Sequence, residues 1–146
     1  LLSVYEENGI QWEDYAITTM SGPFSVTNNG TKYNYTVIST IFYTSDSSYT
    51  YAYFQSSTAY FSVSWTAGAS VFSLYMQNWV DIDLEHESLY NSRTISSAQR
   101  NTTYSLASPY SGALYSYFAG IYGKAILKFT NGASLEVLTY KTSSFP

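Results

Sequence analysis

The single histidine, His86, lies within Asp81-Ile82-Asp83-Leu84-Glu85-His86-Glu87, the densest grouping of residues that could do chemistry. Side chains alternate along a strand, so an extended run would place Asp81, Asp83, Glu85 and Glu87 on one face. Four carboxylates within about 20 Å repel one another at neutral pH, and a hard cation such as calcium would relieve that through oxygen ligands. Same-face neighbours stand about 6.6–7 Å apart, too far for two to hold one ion without another loop. The EF-hand spacing is absent. The run reads as a solvated acidic edge that discourages unwanted strand pairing, and no metal site is expected. A Ser-His-Asp relay through His86 lacks any nucleophile-elbow motif. A carboxylate pair acting on a glycoside needs a separation that only the fold can set. There is no Cys, hence no thiolate chemistry and no disulfide. These residues lead us to expect no enzyme, no catalytic residue and no cofactor.

A second chemistry is modification. Asn29-Gly30-Thr31, Asn34-Tyr35-Thr36 and Asn101-Thr102-Thr103 match the acceptor pattern for N-glycosylation. Asn29 falls at a turn signal and Asn101 in a polar stretch; Asn34 falls in a strand and must point away from the core. A third chemistry is stacking. There are 17 tyrosines and 3 tryptophans, and Trp12, Trp65 and Trp79 are candidates for a sugar-binding platform. Tyr also forms strands well and tolerates partial burial, so most of the tyrosines are expected in the core or on the sheet surfaces.

The elements that must position these groups read as strands. Tyr15–Met20, Phe24–Thr27, Tyr33–Tyr43, Tyr49–Gln55, Ala59–Trp65 and Val71–Val80 are rich in β-branched and aromatic residues. Ser21-Gly22-Pro23, Asn28-Asn29-Gly30, Ser45-Asp46-Ser47-Ser48 and Ala67-Gly68-Ala69 punctuate them. Glu87–Ser105 loses the alternation and reads as a long polar loop with a short helix near Ser96–Arg100. Lys124–Tyr140 reads as a hairpin closed by Thr130-Asn131-Gly132, with a bulge at Gly132. That register pairs Phe129 with Ala133, Leu127 with Leu135 and Ala125 with Val137, keeping one apolar face. The expected fold is all-β: a single immunoglobulin-like β-sandwich over 15–146, preceded by an extended segment over 1–14.

Composition limits the partners. Only 11% of residues are charged and the net charge is −4. The six bases (Lys32, Arg93, Arg100, Lys124, Lys128 and Lys141) are scattered along the chain, so no basic face for nucleic acid is expected. No apolar run approaches the ~18 residues of a membrane span. The Leu1-Leu2 start fits a processed mature chain or an ectodomain cut from its anchor.

Low charge, abundant Tyr, Ser and Thr, no Cys and the Asn-x-Thr sequons together resemble the surface proteins of thermoacidophilic archaea. In style the chain is similar to their glycosylated thread and pilus subunits. The resemblance implies an extracellular β-sandwich that polymerises with itself by donor-strand complementation and carries N-linked glycans. It departs from the type IV-like pilins, because residues 1–30 hold no long apolar helix. The N-terminal segment is the expected donor, with Leu2, Val4, Ile10 and Trp12 as the polymer interface. The other readings are a secreted adhesion or carbohydrate-binding module, and the ectodomain of an anchored surface protein.

Overall fold

A computed structural model describes residues 2–46, 52–66, 72–82, 87–110, 112, 114–116 and 118–144. Among these there is no helix. The strands are β1 (Ser3–Glu7), β2 (Ile10–Asn28), β3 (Thr31–Asp46), β4 (Ala52–Trp65), β5 (Phe72–Ile82), β6 (Glu87–Ile95), β7 (Thr102–Leu106), β8 (Leu114–Ser116), β9 (Phe118–Phe129) and β10 (Ser134–Ser144). They form two antiparallel sheets. The first runs β1-β2-β3-β4-β7, with β8 also on β4; the second runs β10-β9-β5-β6.

Turn chemistry fixes the registers. Asn8-Gly9 and Asn29-Gly30 both have positive φ (53° and 79°, 50° and 82°), the two-residue type I′ geometry that suits strand twist. Gly132 has φ 89°, and Phe129 exchanges backbone bonds with Ala133 and Gly132. Leu127 pairs with Leu135 and Ala125 with Val137, the register expected from the apolar face.

Three expectations are corrected. Tyr15–Met20 and Phe24–Thr27 are one strand, β2, because Ser21-Gly22-Pro23 is a bulge rather than a turn. Gly22 has φ 114°, and a Cβ there would lie 2.9 Å from the Tyr35 carbonyl oxygen, so only glycine fits. Likewise Gln55 and Ala59 belong to one strand, β4, with a register shift against Ile41–Tyr43. Most of the stretch expected as a loop is β6 and β7 instead, and residues 96–101, which include the expected short helix, form an irregular connection between them. Alternation fails in β6 because its inward positions include Asn91 and Arg93. Their side chains donate to the Ala107 and Ser105 carbonyls (3.3 and 3.1 Å) and close the seam between the sheets. At the opposite seam Ser21 and Thr19 of β2 donate to the Leu138 and Tyr140 carbonyls of β10 (2.8 and 3.1 Å).

Two hydrophobic cores lie between the sheets. One contains Tyr33, Val37, Phe61, Trp65, Leu74, Met76, Leu127 and Phe129; the other contains Ile17, Ile41, Phe54, Val80, Ile82 and Ile121. A transverse belt of small and polar residues separates them, with one from each of six strands: Thr19, Ser39, Ser57, Asn78, Gly123 and Thr139. Thr19 and Thr139 share a hydroxyl bond of 2.7 Å, and Asn78 Nδ2 donates to Ser57 Oγ at 3.2 Å. Ser39, Ser57 and Asn78 are fully buried. Gly123 lets the sheets approach here, since a Cβ on it would meet Ser39 Cβ at 3.2 Å.

Candidate assembly arm and glycan acceptors

The N-terminal segment is a hairpin, not a loose extension. Ser3 to Glu7 pair with Asp14 to Ile10, and β2 runs unbroken through positions 14 and 15, where the sequence divides the chain. Among the described residues Trp12 is the first on β2 with a partner on β3, so Ser3–Tyr5 flank the paired part of β2 while residues 6–11 extend past it; this β1–β2 hairpin is the arm. Every β1 residue is exposed. Because Glu7 and Ile10 close a two-residue hairpin, the backbone groups of Val4 and Glu6 turn outward. Both seams described above are capped by side chains; no such cap is found along β1 among the described residues.

The register separates the four expected interface residues. Val4 lies opposite Glu13, on the side of the sheet that carries Ile17. Ile10 and Trp12 lie on the other side, Trp12 directly opposite Tyr5. Leu2, Val4 and Ile10 are 60%, 51% and 46% exposed, while Trp12 is half-buried against Tyr53 (centroids 6.0 Å, edge-on). Tyr5, also exposed, is an apolar arm residue that the sequence reading passed over; its place opposite Trp12 follows from the Asn8-Gly9 turn. At the arm's base a cavity of about 390 Å³ is lined by Tyr5, Asp14, Phe42, Thr44 and Gln55, among others. Asp14 accepts hydrogen bonds there from Ser3 (2.7 Å) and Thr44 (2.6 Å).

The three acceptor asparagines gather at the far end of the same sheet. Asn29 is at the tip of the β2–β3 turn and exposed; Asn101 is exposed, with φ 53°, just before β7. Asn34 is exposed on β3, pointing away from the core between the buried Tyr33 and Tyr35. Asn34 and Asn101, with Thr36 and Thr103, line one shallow groove of about 310 Å³. With 19 residues in β2, the arm tip and the β2–β3 turn stand about 60 Å apart.

The tryptophans do not form a sugar platform together. Trp65 is buried, in contact with Tyr33 (5.2 Å). Trp79 begins a ladder across the outer face of the second sheet, stacked on Tyr122 (4.8 Å, 13°), which stacks on Tyr140 (5.9 Å, 17°). Tyr90 lies opposite Trp79 on β6. Rings this close and parallel turn their faces toward each other, whereas a sugar platform leaves faces open. Tyr122 is hydrogen-bonded to Asp81, and burial together with that carboxylate pushes its phenol pKa up. Asp83, Glu85 and His86 lie outside the described residues. Among the described residues no group of three acidic, Cys or His side chains could hold a metal ion, and no helix is long and apolar enough to cross a membrane.

No protein-family model and no curated protein matches the chain. A crystal structure assigned as the ApaA protein of Bordetella pertussis is similar over 92% of this chain and 95% of its own, at 12% identity and a TM-score of 0.38. An X-ray structure of another structural-genomics target covers 92% and 87%, at 10% identity and a TM-score of 0.33. Likeness at this level carries no argument about fold or role.

Proposed function

We propose that the chain is a structural subunit of an extracellular surface filament, joined to its neighbours by strand exchange through the β1–β2 arm. The observation that carries this reading is the arm itself. It has apolar side chains on both faces, an uncapped edge, and pairing to β2 as its tie to the rest of the fold. An edge strand with exposed apolar side chains is a template for pairing with another chain. Glu6 and Glu7 charge the turn end of β1, while Ser3, Val4 and Tyr5 leave its other end uncharged. β1 leaving β2 to pair along a sheet edge at the far end of a neighbour gives up backbone bonds for others of the same kind and buries Leu2 and Val4 in the process. Glycans on Asn34 and Asn101 would stand about a strand's length away from that event.

In this reading the fold is immunoglobulin-like. The second sheet's order, β10-β9-β5-β6, corresponds to a G-F-C sheet with an added C′ strand.

Among the described residues, deleting residues 1–12 removes no buried side chain, the first being Ile17. The shortened chain is expected to fold as a monomer that forms no fibres, judged by light scattering and electron microscopy. Fibres from the shortened chain, or a stable monomer from the intact one at high concentration, would overturn the proposal. A second reading, a sugar-binding adhesion module, is favoured by the Asp14 cavity, where a carboxylate sits among exposed aromatic rings. Binding of a neutral glycan by a monomeric protein, lost in Asp14→Asn, would select it.

A further inference from the structure

The ionisable side chains, scattered along the sequence, are sorted in space along the strand direction. At the arm end lie Glu6, Glu7, Glu13 and Asp14 on the hairpin, Asp46 at the end of β3 and Asp81 near the end of β5. Lys141, opposite Ile121 on β9, is the one described base there. Toward the far end lie Lys32 beside the β2–β3 turn, Arg93 opposite Met76, Lys128 opposite Ser73, and Arg100, which donates to the Thr66 carbonyl (3.4 Å). Lys124 is paired with Glu136 at 3.5 Å. The arm's carboxylates are hydrogen-bonded by neutral groups. Ser3 and Thr44 donate to Asp14, and Tyr15 and Gln11 to Glu13, so these bonds leave the negative charge in place.

We infer that the arm end of one copy seats on the far end of the next, the hairpin's carboxylates facing Lys32, Arg100 and Lys128. The inference rests on the filament reading and adds the partner surface and the direction of joining. Two arm ends brought together would set acid against acid, so the charge pattern opposes a symmetric head-to-head pair. A head-to-tail contact is heterologous, and where its rotation does not close it extends into a filament. The occupant of the acidic arm end is therefore a second copy of this chain. Asn29, at the far tip, stands in that joint, so joined copies leave it bare while Asn34 and Asn101 remain outside on the flank.

Complementary charge reversal tests this. Lys32 and Lys128 are exposed, and their reversal in K32E/K128E sets two acids beside Arg93 and Arg100, so the far end loses its net positive charge. E6K/E7K sets two bases beside Glu13, Asp14, Asp46 and Asp81, so the arm end loses most of its net negative charge. Each variant alone is expected to keep the monomer's melting temperature and to elongate at least tenfold more slowly than the unmodified chain. The two mixed in equal amounts are expected to restore growth, alternating along the fibre. Raising salt from low to about 0.5 M, where the Debye length shrinks to a few ångströms, is expected to slow the unmodified chain similarly. Normal growth of either variant alone, salt-insensitive growth, or a glycan on Asn29 in assembled material would overturn the joint while leaving the filament reading intact. No growth of the unmodified chain under any condition would overturn both.

Discussion

Replacing Asn78 and Ser57 together by apolar residues is expected to stabilise this protein. Asn78 is fully buried, and its Oδ1 has no hydrogen-bond partner among the described residues. Its Nδ2 donates to Ser57 Oγ at 3.2 Å. An orphaned buried acceptor costs about 1–3 kcal/mol. Asn78→Val alone removes that orphan but deprives Ser57 of its donor, a cost of similar size, so the single variant should fall close to the starting stability. Asn78→Val with Ser57→Ala removes both ends of the bond. Val is larger than Asn by little and suits a strand, and the new methyls join Met76 and Val80, which flank the position on β5. The expected gain is about 1–3 kcal/mol, or roughly 2–4 °C in melting temperature for each kcal/mol at this chain length. Urea unfolding followed through the fluorescence of the buried Trp65 would measure it. A double variant less stable than the unmodified chain by more than about 1 kcal/mol, outside the usual error of such extrapolations, would refute the reasoning. It would mean that Oδ1 is satisfied in solution and that the polar belt stabilises the fold.

Gly123→Ala would push a methyl to within 3.2 Å of Ser39 Cβ and 3.5 Å of Thr139 Cγ2 and Val37 Cγ2, and a loss of about 1–3 kcal/mol is expected in the same assay. Leu127→Ala, at a fully buried position, should cost about 2–5 kcal/mol. Burial raises the pKa of Tyr110, whose hydroxyl has no partner among the described residues. The folded state therefore favours the protonated phenol, and this contribution is full below the unfolded value near 10 and lost as pH climbs above it. Tyr110→Phe should leave stability at pH 7 unchanged or higher and flatten the decline in alkali; an unchanged alkaline slope would count against it. Intact mass of native material above the 16.4 kDa of the polypeptide, reduced stepwise by Asn34→Gln and Asn101→Gln, would establish those two acceptors.

The local parts of the fold were the most legible. The Asn131-Gly132 hairpin and its register follow from turn chemistry and one apolar face, both local properties. Exposure of Asn29, Asn34 and Asn101 was readable from turn signals and strand parity. What the sequence hid depends on partners distant along the chain. The bulge at Gly22 looks like a turn because Gly-Pro marks both, and only the approach of Tyr35 distinguishes them. β6 looks like a loop because Asn91 and Arg93 point inward to cap β7, which breaks the alternation that announces a strand. The arm was legible as an apolar terminal stretch but not as a hairpin, although Asn8-Gly9 carries the same type I′ signal as Asn29-Gly30. The charge sorting needed the fold, because Asp46 and Asp81 reach the arm end only when β3 and β5 are aligned with β2.

The seam between β2 and β10 has a consequence for where such a protein can work. Edges guarded by lysine or glutamate lose their guard when salt screens the charge or acid neutralises it. Here the Leu138 and Tyr140 carbonyls are occupied by the hydroxyls of Ser21 and Thr19, groups that do not titrate and carry no field to screen. Brine or acid would leave that lock closed, while the charge on the arm responds to both. A change in the surrounding water thus reaches the joint between copies without loosening the body of each copy.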